Sequence, residues 1–138
     1  MSLFACAGTR PASLGIKDGR LTACPSTPNC VSSDAADASH AIAAFTLSAP
    51  PEQTWRVLRA ALESLPRVKI ITATADYVHA ECRSAFFGFV DDLELHLRAP
   101  ENLIAVRSAA RLGYSDFGVN RRRVENLRQL VQRQGVIR

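Results

Sequence analysis

Apolar residues along this chain follow two rhythms, and each predicts an element. Trp55, Leu58, Leu62 and Leu65 recur at i, i+3, i+7 and i+10, which is one stripe of a helix. Pro50-Pro51-Glu52 opens that helix, because Pro is tolerated in the first turn and Glu complements the positive end of the dipole. Pro66 stops it. Val124, Leu127 and Val131 make a second stripe, predicting a helix from about Asn120 to Gln134 with Gly135 as its stop. Elsewhere the period is two. Phe45 and Leu47 alternate with Thr46 and Ser48, and Val68–Thr74 is β-branched and apolar. Val78, Ala80 and Cys82 alternate with His79, Glu81 and Arg83; Leu93, Leu95 and Leu97 alternate with Glu94, His96 and Arg98. Leu103–Ser108 completes the set after a turn at Ala99-Pro100-Glu101-Asn102. Residues 1–40 hold no sustained period and read as an irregular arm.

The order β-α-β-β-β-β-α predicts an α+β fold. Its sheet is antiparallel, with about five strands and two helices on one face, in a single domain over residues 41–138. Alternation gives each central strand one wet face. His79, Glu81, Glu94 and His96 are therefore expected on a solvated surface, where they offer a metal only a weak foothold, and no metal site is assigned. In the favoured register Arg83 opposes Glu94, Glu81 opposes His96 and His79 opposes Arg98, since a shift by two sets Glu81 against Glu94. Cys82 falls on the inward face as a small buried hydrophobe.

Composition narrows the class. The chain has 138 residues, of which 47% are hydrophobic, enough for one domain with its own core. No apolar run approaches the ~20 residues of a membrane-spanning helix. The net charge of +4 is concentrated at the C-terminus. Six Arg and one Glu lie between Asn120 and Arg138. With no second basic cluster and no aromatics interleaved with Arg, this reads as a solvated helix face, and nucleic acid is not expected as a partner.

Cysteines add two expectations. Leu3-Phe4-Ala5-Cys6 has the shape of a bacterial lipobox and makes Cys6 a candidate for lipidation and membrane tethering. Met1-Ser2, however, supplies neither the charged nor the apolar region of a secretory signal. Cys24-Pro-Ser-Thr-Pro-Asn-Cys30 is a compact turn whose ends can meet. A disulfide there contributes about 2 kcal/mol in the chain-entropy model and implies an oxidising compartment. Two free thiols are the alternative. Zinc needs a second ligand pair that the chain lacks.

One segment, Val106–Arg123, concentrates polar chemistry between a strand end and a helix start. Its candidate ligand-binding residues are Arg107, Ser108, Arg111, Tyr114, Ser115, Asp116, Asn120, Arg121 and Arg122, with Asp91 and Asp92 from the neighbouring hairpin loop. Helix-start N–H groups with Arg107, Arg111, Arg121 or Arg122 nearby suit a small anion. The purely architectural alternative is equally physical. Asp116 or Asn120 caps the helix while an Arg pairs with Asp91 or Asp92. Adjacent strand residues point to opposite faces, so those two aspartates do not share acid–base work. The chain contains no G-x-S-x-G, P-loop, G-x-G-x-x-G or H-E-x-x-H motif. No catalytic residue and no cofactor are assigned.

Three blocks resemble a known family. Leu14-Gly15, Asp18-Gly19-Arg20-Leu21, Cys24-Pro25 and Pro28-Asn29-Cys30-Val31-Ser32-Ser33 form the first. Phe89-Val90-Asp91-Asp92-Leu93-Glu94 is the second; Arg107-Ser108, Arg111 and Gly113–Glu125 are the third. Together they are similar to the bacterial and plastid family called domain of unknown function 1499. The resemblance implies lipoprotein-like or membrane-attached proteins and brings no activity with it. The expectation is a non-catalytic ligand- or partner-binding domain of the cell envelope, periplasmic and anchored through Cys6. A cytoplasmic location is the alternative. A rival reading is an enzyme acting on an anionic small molecule, with Ser108, Tyr114, Ser115 or Asp116 at work in an Arg-rich pocket. An adaptor docking another protein through the open sheet face or the basic helix is the third.

Overall fold

The structure, a computed structural model, describes residues 8–138, so the lipobox and Cys6 lie outside the described residues. Within the arm, β1 (Ile16–Lys17) and β2 (Arg20–Leu21) form a small hairpin, followed by β3 (Cys30–Ser32). Then come β4 (Phe45–Thr46), α1 (Pro51–Ser64), β5 (Val68–Ala73), β6 (Tyr77–Arg83) and β7 (Val90–Arg98). A 3-10 turn at Ala99–Glu101 leads to β8 (Leu103–Ala110) and α2 (Val119–Gln132). β5 to β8 make an antiparallel meander. β3 and β4 both pair with the far edge of β8, giving six strands in the order β3-β8-β7-β6-β5 with β4 beside β3. The α+β class is as expected. The extra strand comes from the arm.

Both helices pack on one face, as their stripes require. Trp55, Leu58 and Leu62 of α1 and Val124, Leu127 and Val131 of α2 are buried against Val78, Ala80, Leu93, Leu95, Ile104 and Val106. Burying each such large side chain stabilises the fold by roughly 1.5–3 kcal/mol. α1 ends at Leu65, whose backbone is extended (φ −80, ψ 138), the conformation that Pro66 imposes on the residue before it. Arg128 lies over the Phe45 ring, 4.6 Å from its centre, and donates to the Ala43 and Ala44 carbonyls. The chain's last residues rejoin the sheet through Leu47 and Thr46.

Two sequence expectations fail, each because a third element meets the polar face. The second sheet face is not wet, because the arm lies across it and leaves His79, Glu81, Asp92, Glu94, His96 and Arg107 buried. The β6–β7 register also differs. His79 opposes Glu94, Glu81 opposes Asp92, and Arg83 opposes Val90. Two acids face each other across a strand pair, which is unfavourable when the pair stands alone. Here a third element answers them. Arg111, just past the end of β8, reaches both carboxylates.

Candidate functional site

The arm-covered face is an ion layer. Arg111 forks onto Asp92, with Nε to Oδ2 at 2.8 Å and Nη2 to Oδ1 at 2.7 Å, and Nη2 also meets Glu81 Oε2 at 2.6 Å. Arg10 of the arm grips the same Glu81 oxygen at 2.7 Å, and His79 Nε2 lies 2.7 Å from Asp92 Oδ1. Burial alone would raise the Asp92 carboxyl, but hydrogen bonds from Arg111 and His79 hold it below the ordinary range. Glu81 behaves likewise, burial being outweighed by Arg111 and Arg10. Glu94 is 0% exposed; its Oε2 accepts from the Tyr77 hydroxyl and from the Gly15 backbone N–H. Burial and that carboxylate together push the Tyr77 phenol far above its ordinary value. Arg107 lies 3.6 Å from Glu94 Oε1 without a hydrogen bond, and reaches the Ala23 carbonyl only at 3.4 Å. Arg98 and Asp34 close the layer at its other end, 2.6 Å apart.

Within the arm, the Cys24–Cys30 disulfide ties the segment after the β1–β2 hairpin to the start of β3, with 5.7 Å between Cα atoms. Cys82 stays reduced on the helix side, its thiol pushed up to about 11 by burial. His40, isolated in the sequence, is held by Asp37 Oδ2 on Nδ1 and by the Thr27 carbonyl at 2.8 Å on Nε2. Those contacts, the Thr27 carbonyl foremost, raise its pKa above the ordinary value. Among the described residues, no group of three or more His, Cys, Asp or Glu is arranged to hold a metal.

At the end of the sheet, the polar segment is divided between two faces. Asp92 points into the ion layer, whereas Asp91 points to the helix face and meets Arg123 at 2.8 Å. Burial raises the Asp91 carboxyl and Arg123 offsets only part of that rise. Ser108 is fully buried; its hydroxyl donates to Asn120 Oδ1 at 2.6 Å, and Arg123 donates to both. Asp116 accepts from the Gly118 and Asn120 backbone N–H groups and from the Asn120 amide. Burial would raise that carboxyl, but these bonds leave it lowered. Asp116 thus caps α2 from two residues upstream of Gly118, which occupies the N-cap at φ 80 and has no side chain to do so.

The remaining candidates scatter. Arg121 donates to the Ala41 carbonyl and Arg122 to the Phe117 carbonyl. Tyr114 and Ser115 are exposed on the 111–118 loop. Of the four arginines expected to surround an anion, two lie in the ion layer and two satisfy backbone carbonyls. They do not converge.

What does converge at this end is apolar. Every large apolar side chain exposed among the described residues sits on two neighbouring loops or at the start of α2: Phe86, Phe87, Phe89, Leu112, Tyr114, Phe117 and Val119. Phe86 is 93% and Phe117 85% exposed. Between the loops opens a cavity of about 320 Å³, walled by Phe89, Val90, Leu112 and Phe117, with Asp91, Ser115, Asp116 and Arg123 among its polar lining. The hairpin loop expected to carry Asp91 and Asp92 ends before them, since both lie in β7, and what it carries instead is phenylalanine. Its signal was present nonetheless: three phenylalanines around Gly88, in a turn too short for either period to bury them.

Comparison with known proteins gives one positive result. A family model described as Protein of unknown function (DUF1499) matches residues 20–131. No curated protein and no solved structure matches the chain. The matched span runs from β2 almost to the end of α2 and takes in the disulfide, most of the ion layer and both apolar loops. The chain belongs to the DUF1499 family of proteins of unknown function.

Proposed function

We propose that this protein is a non-catalytic ligand-binding domain of the cell envelope. Its ligand is a small apolar molecule bearing a hydrogen-bond donor, held between the 84–90 and 111–119 loops. The observation that carries this reading is the cavity itself, whose volume of about 320 Å³ lies at the lower end of small-molecule sites. Asp91 gives one oxygen to Arg123, which leaves the other as an acceptor for the ligand's donor. An anion fits this cavity less well, since its one guanidinium, Arg123, is already paired with Asp91. A catalytic reading finds little support: Ser108 has no base beside it, and the Asp116 carboxylate is occupied by the helix start.

The envelope placement rests on the Cys24–Cys30 disulfide and the lipobox at Cys6. Intact mass of the chain isolated from its own host tests it: a diacylglycerol-sized increment at Cys6 is expected, and four alkylatable thiols with no lipid would overturn it. For the cavity, octylamine titrated into ¹⁵N-labelled protein is expected to shift amides in 84–90 and 110–119. Ala110→Leu, which fills the cavity, is expected to abolish those shifts. Shifts absent from these loops, or unchanged in a folded Ala110→Leu protein, would sink the reading.

A further inference from the structure

We propose that the loop end of the sheet is a membrane-docking surface that prefers anionic lipid, a role beyond that of the cavity. Phe86 and Phe87 crown the turn between β6 and β7 at 93% and 68% exposure, and Tyr114 and Phe117 stand on the facing loop at 70% and 85%. Soluble surfaces seldom gather so many exposed rings at one end without a use. Charge then selects the occupant. In the segments that bound this end (65–69, 83–90 and 111–123), every exposed charged side chain is basic: Arg67, Lys69, Arg83, Arg121 and Arg122. Of the acids nearby, Asp91 is withdrawn into its pair with Arg123 and Asp116 into the start of α2, while Glu63 in the last turn of α1 stays exposed.

Rings set within a girdle of guanidinium groups match the headgroup region, where aromatics enter the acyl boundary and Arg meets phosphate. Phe87 and Phe89 pack ring against ring, 5.8 Å between centroids, so the crown is a contiguous apolar knob within the basic girdle. The path of the chain agrees. Gly8 lies against Arg111 and Leu112, so closely that a Cβ on it would sit 3.1 Å from the Arg111 Cβ and 3.2 Å from Leu112 Cγ. The N-terminal segment therefore joins the domain at the crowned end.

The test is co-sedimentation of the full chain carrying Cys6→Ser, so that no acyl group contributes. Vesicles are phosphatidylcholine alone or an equimolar mixture with phosphatidylglycerol. Binding is expected to the mixed vesicles, to weaken with salt, and to be much poorer on phosphatidylcholine. Phe86→Ser with Phe87→Ser should lower vesicle affinity about tenfold or more, given the apolar area each ring buries. Arg67→Glu with Arg83→Glu should abolish the preference for phosphatidylglycerol. Absence of binding to either vesicle at millimolar lipid would overturn the proposal, as would binding indifferent to the Phe86 and Phe87 changes. A dimer in solution that dissolves with those same changes would also overturn it and assign the crown to a second copy. Neither phenylalanine lines the cavity, and the octylamine titration uses no vesicles, so each reading can fail alone.

Discussion

The two ends of this molecule's polarity are reversed with respect to solvent. On the arm-covered face, three acids and two arginines (Glu81, Asp92, Glu94, Arg107 and Arg111) lie almost wholly out of water. At the loop end, Phe86 and Phe117 lie almost wholly in it. Charges inside cost desolvation that their partners must offset, so removing a partner bears directly on stability. Apolar rings outside contribute little to the fold. Changes inside therefore act on stability, whereas changes at the crown leave it nearly untouched.

The largest expected effect tests the inner region. Arg111→Ala leaves Asp92 and Glu81 without their shared cation and should cost about 3–5 kcal/mol in urea unfolding. A loss below ~1 kcal/mol would mean that water already screens the layer, and the contrast would collapse. Acid examines the same groups. Folded Asp92 and Glu81 titrate below their ordinary values, so the stability they contribute is present above the unfolded value near 4 and is lost as pH falls through the folded ones. Asp91 works in the opposite sense, its raised carboxyl favouring the fold below the unfolded value and losing that contribution as pH rises. A pH series on Glu81→Gln should therefore show a shallower acid limb than the parent protein.

Next in size is the clasp on the arm. Cys24→Ser with Cys30→Ser should lower stability by about 2 kcal/mol, the closure entropy of so short a loop. Protection of amides in residues 13–23 from hydrogen exchange should fall before that of β6 and β7. Equal loss across both would show that the arm and sheet open as one unit, removing the distinction between cover and core. The smallest effect belongs to the outer region. Phe86→Ser and Phe87→Ser should each change unfolding free energy by no more than about 0.5 kcal/mol, as for surface positions without structural contacts. A larger loss would make the crown part of the fold.

These contrasts explain what could be read from the sequence. Helix stripes at Trp55, Leu58 and Leu62, and at Val124, Leu127 and Val131, are periodic because a continuous core lies beneath them. The alternation of β6 and β7 was equally legible, yet a polar face gives the same letters whether it meets water or an ion layer. What covers it is the arm, which acts through single contacts such as the Gly15 N–H on Glu94 and Arg10 on Glu81, with no period to recognise. The register was lost for a related reason: weighing Glu81 and Asp92 as a pair omits the cation that Arg111 brings from the end of β8. In the polar segment, the capping by Asp116 and the pairing of Arg with Asp91 and Asp92 were among the readings available. Which arginine served which aspartate depended on the two faces of β7.

The sheet's edges carry one more consequence. On one side β3 and β4, three and two residues long, divide the edge of β8 between them, so no long straight ladder is left open. On the other side β5 breaks register between Ile70 and Thr72 and exposes Lys69 near its start. Short strands, a bulge and an edge-strand lysine all discourage another chain from adding to the sheet by backbone pairing. Copies of this domain that crowd together are thereby discouraged from zippering into fibres.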